Sequence, residues 1–438
     1  MFPSLADLRI CLQVISVERT AGERVLFATA MALAVFLLAM SFLVAFVSML
    51  YIPLPDDICD RLKLQFFEFL LRVSNEYFGS LVGCIFGPKI RNKLTRLLVA
   101  IPFFFKSAPP KLVTVKNELI DESRVRIYYP AKRRNNALIL FTHGGGWSTM
   151  KPSYYDSLMY KLIKHLGVLI ISIDYRLSPE NPYPGPVKEC EAVYHKIITE
   201  DYRRFGIDPT RICVMGDSAG GNLSTVIAQR QLRSRTTLPK CQVLIYPVIH
   251  PFDLKSPSYQ LFYDQLSGTA LLNPYVMARW YMLYLNIPAT NRNIEKFLNN
   301  RHLRSEKKNS EGLQKLIGRE LLPAAVLKNP YGHKKIDSNK AEPDEELCAL
   351  FERHGFDADF APILGDNLTG LSPAMIITAG YDILRDEGML YAKRLQSFKV
   401  AVQLNHYPAA YHGIMHMPSS MQRKQIVDDI IEYLQNHL

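Results

Sequence analysis

A serine held between two glycines constrains this chain more than any other feature. The stretch "VMGDSAGGNL", Val214 to Leu223, follows the apolar strand-like run "RICVMGD" and leads into a helix-like one. Within it, Gly216-Asp217-Ser218-Ala219-Gly220 fits G-x-S-x-G, a pattern that holds a serine on a strained strand-to-helix turn and lifts its hydroxyl into the open. The five-residue pattern alone is common: with glycine and serine each near 7% of residues, a chain this long shows it by chance about once in seven. The strand before it and the helix after it make it specific. A Cβ at Gly216 or Gly220 would collide with the neighbouring strand or helix, so both glycines have a structural cause.

The rest of the carboxyl-terminal three-quarters reads the same way. "LVTVKNEL", "VRIYYP", "ALILFTH", "VLIISIDY", "CQVLIYP" and "AMIITAG" are short apolar or β-branched runs, and helical stretches fall at 154–165, 186–203 and 222–232. Continuous apolar strands alternating with helices indicate a mostly parallel sheet covered on both faces, an α/β fold. The alternation stops at Pro247 and resumes near Ser372. The intervening residues, about 248–371, hold aromatic clusters such as "RWYMLYL" and a polar stretch from Lys328 to Glu346. An insertion of that size in a sheet protein is expected to carry a cap, lid or binding surface.

A serine hydroxyl needs a base to take its proton, and the base needs an acid to orient it. On sheet hydrolases with this elbow the chain order is serine, acid, histidine. His412, in "PAAYHGIMH", directly follows the strand-like "VQLNHYP" and precedes a final helix expected near Ser419. It is the expected base. His416 is the second choice, and His406 lies inside the strand. Asp382 directly follows "AMIITAG" and its tyrosine and is the expected acid, whereas Asp386 and Glu387 read as first-turn residues of the next helix, favoured there by the helix dipole. The expected catalytic set is Ser218, Asp382 and His412.

"THGGGWSTM", Thr142 to Met150, gives up three side chains in a row directly after a strand. At that position lipases and esterases present backbone N–H groups to the oxyanion of a tetrahedral intermediate. Gly144, Gly145, Gly146 and Ala219 make the expected oxyanion site: Gly145, Gly146 and Ala219 as donors, Gly144 to shape the turn. Donors must stand about 2.7 to 3.1 Å from the developing charge, which favours bare backbone.

From Val25 the chain runs 31 residues without a charge, to Asp56. A bilayer span needs about 20. A cleaved signal peptide has an apolar region of about 7 to 15 residues behind a short head, so residues 25–52 read as an uncleaved anchor after an amino-terminal tail, 1–24. Three arginines before the span face three basic residues after it, and the charge count does not orient it. Residues 53–110 are mixed apolar and basic, broken by glycines and Pro102, and read as helices that lie near the membrane, cover a pocket mouth, or form a packed subdomain. The formal charge is +11. The basic runs at 89–96, 132–134 and 301–308 accompany no nucleic-acid motif and are expected to be solvated faces. Seven dispersed cysteines lack any C-x-x-C, so no zinc or redox motif is present. No metal or nucleotide cofactor is implied.

These motifs resemble the hormone-sensitive-lipase family of α/β-hydrolases, whose marks are H-G-G-G, D-Y-R-L-x-P-E and G-D-S-A-G-G. Here they stand as His143 to Gly146, Asp174 to Glu180 and Gly216 to Gly221, with "YDILRDEGMLYAKRL" from Tyr381. With the amino-terminal anchor the chain is similar to the arylacetamide deacetylase and neutral cholesterol ester hydrolase branch, from about residue 111 to the end. That resemblance implies hydrolysis of apolar carboxylic esters or aryl amides through an acyl-enzyme, a type II anchor, and a catalytic domain in the endoplasmic reticulum lumen. Asn367-Leu368-Thr369 is then a glycosylation candidate, while Asn222-Leu223-Ser224 falls in the helix behind the nucleophile. Some relatives carry cysteines where this chain has Ser148 and Ala379-Gly380, so no disulfide between those loops is expected. The expected partners are the lipid bilayer and an apolar ester, not nucleic acid. The alternative is a non-catalytic ligand-binding protein on the same fold.

Overall fold

The computed structural model describes residues 20–103, 109–267, 269, 271–327, 342–417 and 419–438. The amino-terminal tail up to residue 19, with Cys11, and residues 328–341 of the polar stretch lie outside the described residues. The chain divides into two units, Met1–Pro53 and Leu54–Leu438.

In the first unit, helix α1 (Ala21–Leu50) starts at a capping box: Thr20 Oγ1 accepts the Glu23 N–H and Glu23 Oε2 accepts the Thr20 N–H at 2.8 Å. Its segment Val25–Ser48, 24 residues of mean hydropathy 2.7, is long and apolar enough to cross a bilayer.

The second unit is built on an eight-stranded sheet of order β1-β2-β4-β3-β5-β6-β7-β8. Strands β3 (Leu138–Thr142), β4 (Leu169–Asp174), β5 (Ile212–Asp217), β6 (Cys241–Ile245), β7 (Ala374–Tyr381) and β8 (Val402–Tyr411) pair in parallel. Strands β3, β5, β6 and β7 are buried along their whole length, as strands covered on both faces must be. Mostly apolar side chains let them lie there, and polar ones are hydrogen-bonded, as Thr142 is to Gly220 and Gln242 to Ser372.

Not all of the sheet is parallel. β1 (Val113–Ile120) and β2 (Ser123–Pro130) form an antiparallel hairpin, and β2 meets β4 antiparallel. Its turn residues, Asp121 and Glu122, both have positive φ, 46° and 61°. That geometry matches the right-handed twist of flanking strands, but neither residue is the glycine or asparagine that usually signals it.

Helices follow the strands. Before the sheet come α2 (Arg61–Leu71), a π-helical turn (Arg72–Phe78), α3 (Gly79–Phe86) and α4 (Pro88–Ala100). Within it lie α5 (Asp156–Leu166), α6 (Gly185–Lys196) and α7 (Ala219–Ser234). Between β6 and β7 the insertion is helical, with α8 (Pro257–Gln265), α9 (Pro274–Tyr284), α10 (Asn291–Leu298) and α11 (Glu345–Glu352) among its elements. Helices α12 (Arg385–Ser397) and α13 (Met421–His437) complete the cover.

The register places the site. Thr142 of β3 stands beside Gly216 of β5, so the glycine loop and the elbow leave neighbouring strand ends. Tyr381 of β7 stands beside Tyr411 of β8, and the next residues of the two strands are Asp382 and His412. The shift of register just before that pair has a cause at Gly380, where a Cβ would lie 1.9 Å from the Pro408 carbonyl oxygen.

Candidate active site

Ser218 occupies the turn between β5 and α7 at φ 52°, ψ −121°. A non-glycine residue there costs about 1–3 kcal/mol, which the surroundings must offset. They do so by close packing and hydrogen bonds. A Cβ on Gly216 would come within 2.3 Å of the Gly220 carbonyl, and one on Gly220 within 2.1 Å of the Thr142 carbonyl. The Ser218 N–H donates to Ile245 C=O at 2.9 Å, and the Ser218 C=O accepts from Val248 N–H at 3.1 Å. The elbow is held between β3, β6 and its own helix.

The three expected catalytic side chains meet. Nε2 of His412 lies 3.1 Å from Ser218 Oγ, and Nδ1 lies 2.8 Å from Asp382 Oδ2. A carboxylate only accepts, so Nδ1 carries the hydrogen and Nε2 turns its lone pair to the serine. The other Asp382 oxygen accepts the Leu384 N–H at 2.9 Å. The Asp382 side chain is fully buried and that of His412 nearly so, with the Tyr246 ring 4.5 Å from the imidazole.

The alternatives are occupied elsewhere. His416 sets its ring edge-on against Tyr155, and burial pushes its imidazole down to about 3. His406 pairs with Thr378 on the sheet. Asp386 accepts the Ser258 N–H and faces Arg385, while Glu387 accepts the N–H groups of Ile249 and His250 at 2.8 and 3.0 Å.

The glycine loop is fixed by its carbonyls. His143 C=O accepts from the Tyr175 hydroxyl at 2.8 Å, and Gly144 C=O accepts from His143 Nδ1 at 2.9 Å. Gly145 C=O accepts from the Thr149 N–H, the Thr149 hydroxyl and the Ser148 N–H. In a planar trans peptide the N–H points opposite to the C=O, so tying three carbonyls sets the direction of the N–H groups of Gly144, Gly145 and Gly146. The first is used inside the fold. Gly144 N–H donates to Asp217 Oδ1 at 2.8 Å and to the Tyr155 hydroxyl at 3.0 Å, and that hydroxyl donates to Asp217 Oδ2. Gly145 and Gly146 sit at φ 99° and 58°, and a Cβ on Gly146 would fall 2.2 Å from the Trp280 ring of α9. The Ala219 N–H opens α7, where a helix has no internal acceptor for it.

Several members of this site had no signal in the sequence. Asp217 lies inside the serine motif, yet nothing local says that it turns to the glycine loop. Burial pushes its carboxyl up to about 6, against the two hydrogen bonds that lower it. Arg96 belongs to a basic run expected to be a solvated face. Instead its guanidinium donates to the carbonyls of Ser148 and Ser178, both at 2.7 Å, and pairs with Glu180. Asn92, one turn earlier on α4, reaches the same two carbonyls. Helix α4 thus roofs the loop that carries Gly145 and Gly146, and Phe103 continues the roof by stacking on Tyr154 at 4.2 Å. Trp147 is buried flat on Tyr284 of the insertion at 4.3 Å.

Asn367 is exposed and accepts the Thr369 N–H at 3.0 Å, while Asn222 is buried and donates to Val248 and Phe360. Six cysteines, at 59, 84, 190, 213, 241 and 348, are free thiols. Among the described residues no group of three histidine, cysteine or acidic side chains is placed to hold a metal ion.

With an eight-stranded sheet of this order and a serine, histidine and carboxylate at its strand ends, the class is defined. The α/β-hydrolase fold family matches residues 139–314 and 343–416, and the chain belongs to that family. Within it, the chain falls in the hormone-sensitive-lipase-like group of carboxylic-ester serine hydrolases. It is 33% identical to the arylacetamide deacetylase of Rattus norvegicus, over 92% of this chain and 99% of that one. It is 32% identical to neutral cholesterol ester hydrolase 1 of Bos taurus, over 84% and 89%. Among solved structures, an arylesterase superposes with a TM-score of 0.57 at 21% identity, covering 88% of this chain and 99% of that one. A bacterial esterase of the hormone-sensitive lipase family gives 0.57 at 18%, covering 86% and 98%. These structures share the fold.

Proposed function

We propose that this chain is a membrane-anchored serine esterase that hydrolyses apolar carboxylic esters, and aryl amides of similar shape, through an acyl-enzyme. The observation that carries the reading is the unbroken relay from Ser218 Oγ through His412 to Asp382 at the elbow. His412 Nε2 takes the hydroxyl proton as Oγ attacks the acyl carbon. The oxyanion is met by the N–H groups of Gly145, Gly146 and Ala219. The imidazolium, paired with Asp382, then protonates the leaving alcohol. Water repeats the sequence on the acyl-enzyme with His412 again as base.

An apolar substrate is supported by the insertion, which brings Trp280 over the glycine loop, and by relatives named for cholesterol esters and arylacetamides. In this reading α1 anchors the chain as a type II span in the endoplasmic reticulum membrane, with the hydrolase in the lumen. The exposed Asn367 then carries a glycan. An endoglycosidase shift that disappears in Asn367→Gln checks both orientation and site.

The central test is hydrolysis of p-nitrophenyl esters from acetate to palmitate by membranes holding wild type or Ser218→Ala. Loss of at least about 10⁴-fold in the variant is expected. The chain-length optimum separates a short-chain deacetylase from a long-chain lipid hydrolase. Equal inertness of two folded, membrane-bound proteins would replace the enzyme with a ligand-binding protein.

A further inference from the structure

The helices before the sheet turn an apolar stripe outward. Along α2 the exposed apolar residues are Leu62, Phe66 and Leu70, with the exposed Lys63 beside them, the stripe passes Val73 and Tyr77 in the π turn, and it ends at Leu81 and Ile85 on α3. The steps of three and four mark one helical face. Leu62 is 86% exposed and Phe86, beside the end of the stripe, 62%. The opposite face buries Leu64 and with it an ion pair: Glu68 and Arg72 lie 3.2 Å apart and are 1% and 4% exposed. A water-facing helix does the reverse, burying apolar residues and solvating charges. Helix α4 repeats the arrangement, with Ile90 and Leu97 outward and Asn92 and Arg96 inward on the glycine loop.

We infer that this face, residues 62 to 101, inserts into the outer layer of a lipid bilayer as a second membrane contact, beyond the span of α1. The inference rests on the reading of α1 as an anchor and names the bilayer as the surface from which the ester enters. Two further observations select lipid as the occupant. Only residues 51–60 separate the end of α1 from the start of α2, a reach of at most about 35 Å even fully extended. The face also adjoins the site. Cys59 N–H donates to Ala409 C=O, three residues before His412, and Asp57 accepts from the hydroxyl of Tyr381, next to Asp382. A helix face buried about 5–10 Å into the headgroup boundary would set these loops at the lipid surface. An ester dissolved in the bilayer would then reach Ser218 without crossing water.

The test uses the full chain carrying Cys11→Ser and Cys59→Ser, with a polarity-sensitive fluorophore on Cys84, which is exposed on α3. A control carries the probe on Gln396→Cys, on α12 and before the amino end of β8, with Cys84→Ser added. In phosphatidylcholine vesicles containing doxyl lipids, the Cys84 probe should be quenched at least about twofold more than the control. Equal quenching of the two would overturn the inference. So would a blue-shifted but unquenched Cys84 probe, which means that a second copy covers the face. Phe66→Ser with Phe86→Ser removes apolar surface without touching the site. Turnover of a bilayer-dissolved long-chain ester should fall about fivefold while a soluble acetate ester changes less than twofold. Unchanged turnover of both esters argues against entry from lipid. Failure of the esterase reading would appear differently, as soluble-ester activity that survives Ser218→Ala, and the quenching result does not depend on it.

Discussion

Asp217 and Asp382 are the same residue type at the same depth, each 4% exposed and each at the carboxyl end of a parallel strand. They do different work because of what stands opposite. In the proposed relay Asp382 faces an imidazole that becomes a cation at each turnover, so its charge is matched when that reaction needs it. Asp217, next to Ser218 in sequence, accepts its side-chain hydrogen bonds from neutral donors, the Gly144 N–H and the Tyr155 hydroxyl. Its carboxylate orders a loop without an ion pair, and burial pushes its carboxyl up against those hydrogen bonds and the nearby His412. Adjacency in the chain to Ser218 is no guide to adjacency in the chemistry.

The comparison breaks most sharply at Asp382. Asp382→Asn should leave the fold and substrate binding near wild type and lower kcat about 10⁴-fold, by presenting the wrong imidazole tautomer to Ser218. A loss of tenfold or less would remove Asp382 from the relay.

Asp217→Asn should act on two quantities in opposite directions. Asparagine still offers an oxygen to Gly144 but not a charge, so kcat at pH 8 should fall about thirtyfold, less than the roughly 10²–10³-fold cost of removing an oxyanion donor outright. Stability should move the other way. The folded-state value of Asp217, about 6, lies above its ordinary 3.8. Its contribution is therefore fully present below about pH 4 and is lost as pH rises through about 6, by roughly 3 kcal/mol. The uncharged variant does not pay this, so its stability relative to wild type should rise by that amount between pH 4 and pH 7. Thermal or urea unfolding across that range checks it; a difference that is flat with pH would mean that Asp217 is not held as described.

The smallest effect is expected at Arg96, which acts on the glycine loop from outside. Arg96→Ala should lower kcat about tenfold for soluble and lipid esters alike, and Arg96→Lys should recover only part, since a single ammonium lacks the fork that spans two carbonyls. An effect on KM alone would assign Arg96 to substrate access instead of loop geometry.

The sequence by itself determined the parts of this protein that are local. The elbow glycines, the glycine loop, the apolar strands and the uncharged segment from Val25 are each set by sterics or burial within a few residues, and chain order then singled out Asp382 and His412. The tertiary structure decided what depends on distant partners. The antiparallel hairpin turns on φ values that Asp121 and Glu122 do not announce. Arg96 reads as one of a solvated run until its 2.7 Å bonds to Ser148 and Ser178 are seen. The helices of 53–110 read equally as membrane-proximal, as a pocket cover or as a packed subdomain until Leu62, Phe66 and Leu70 are found outside and Glu68 and Arg72 inside. For the two helical cases the physical reason is the same: periodicity fixes which residues share a face, but only packing fixes which way that face points.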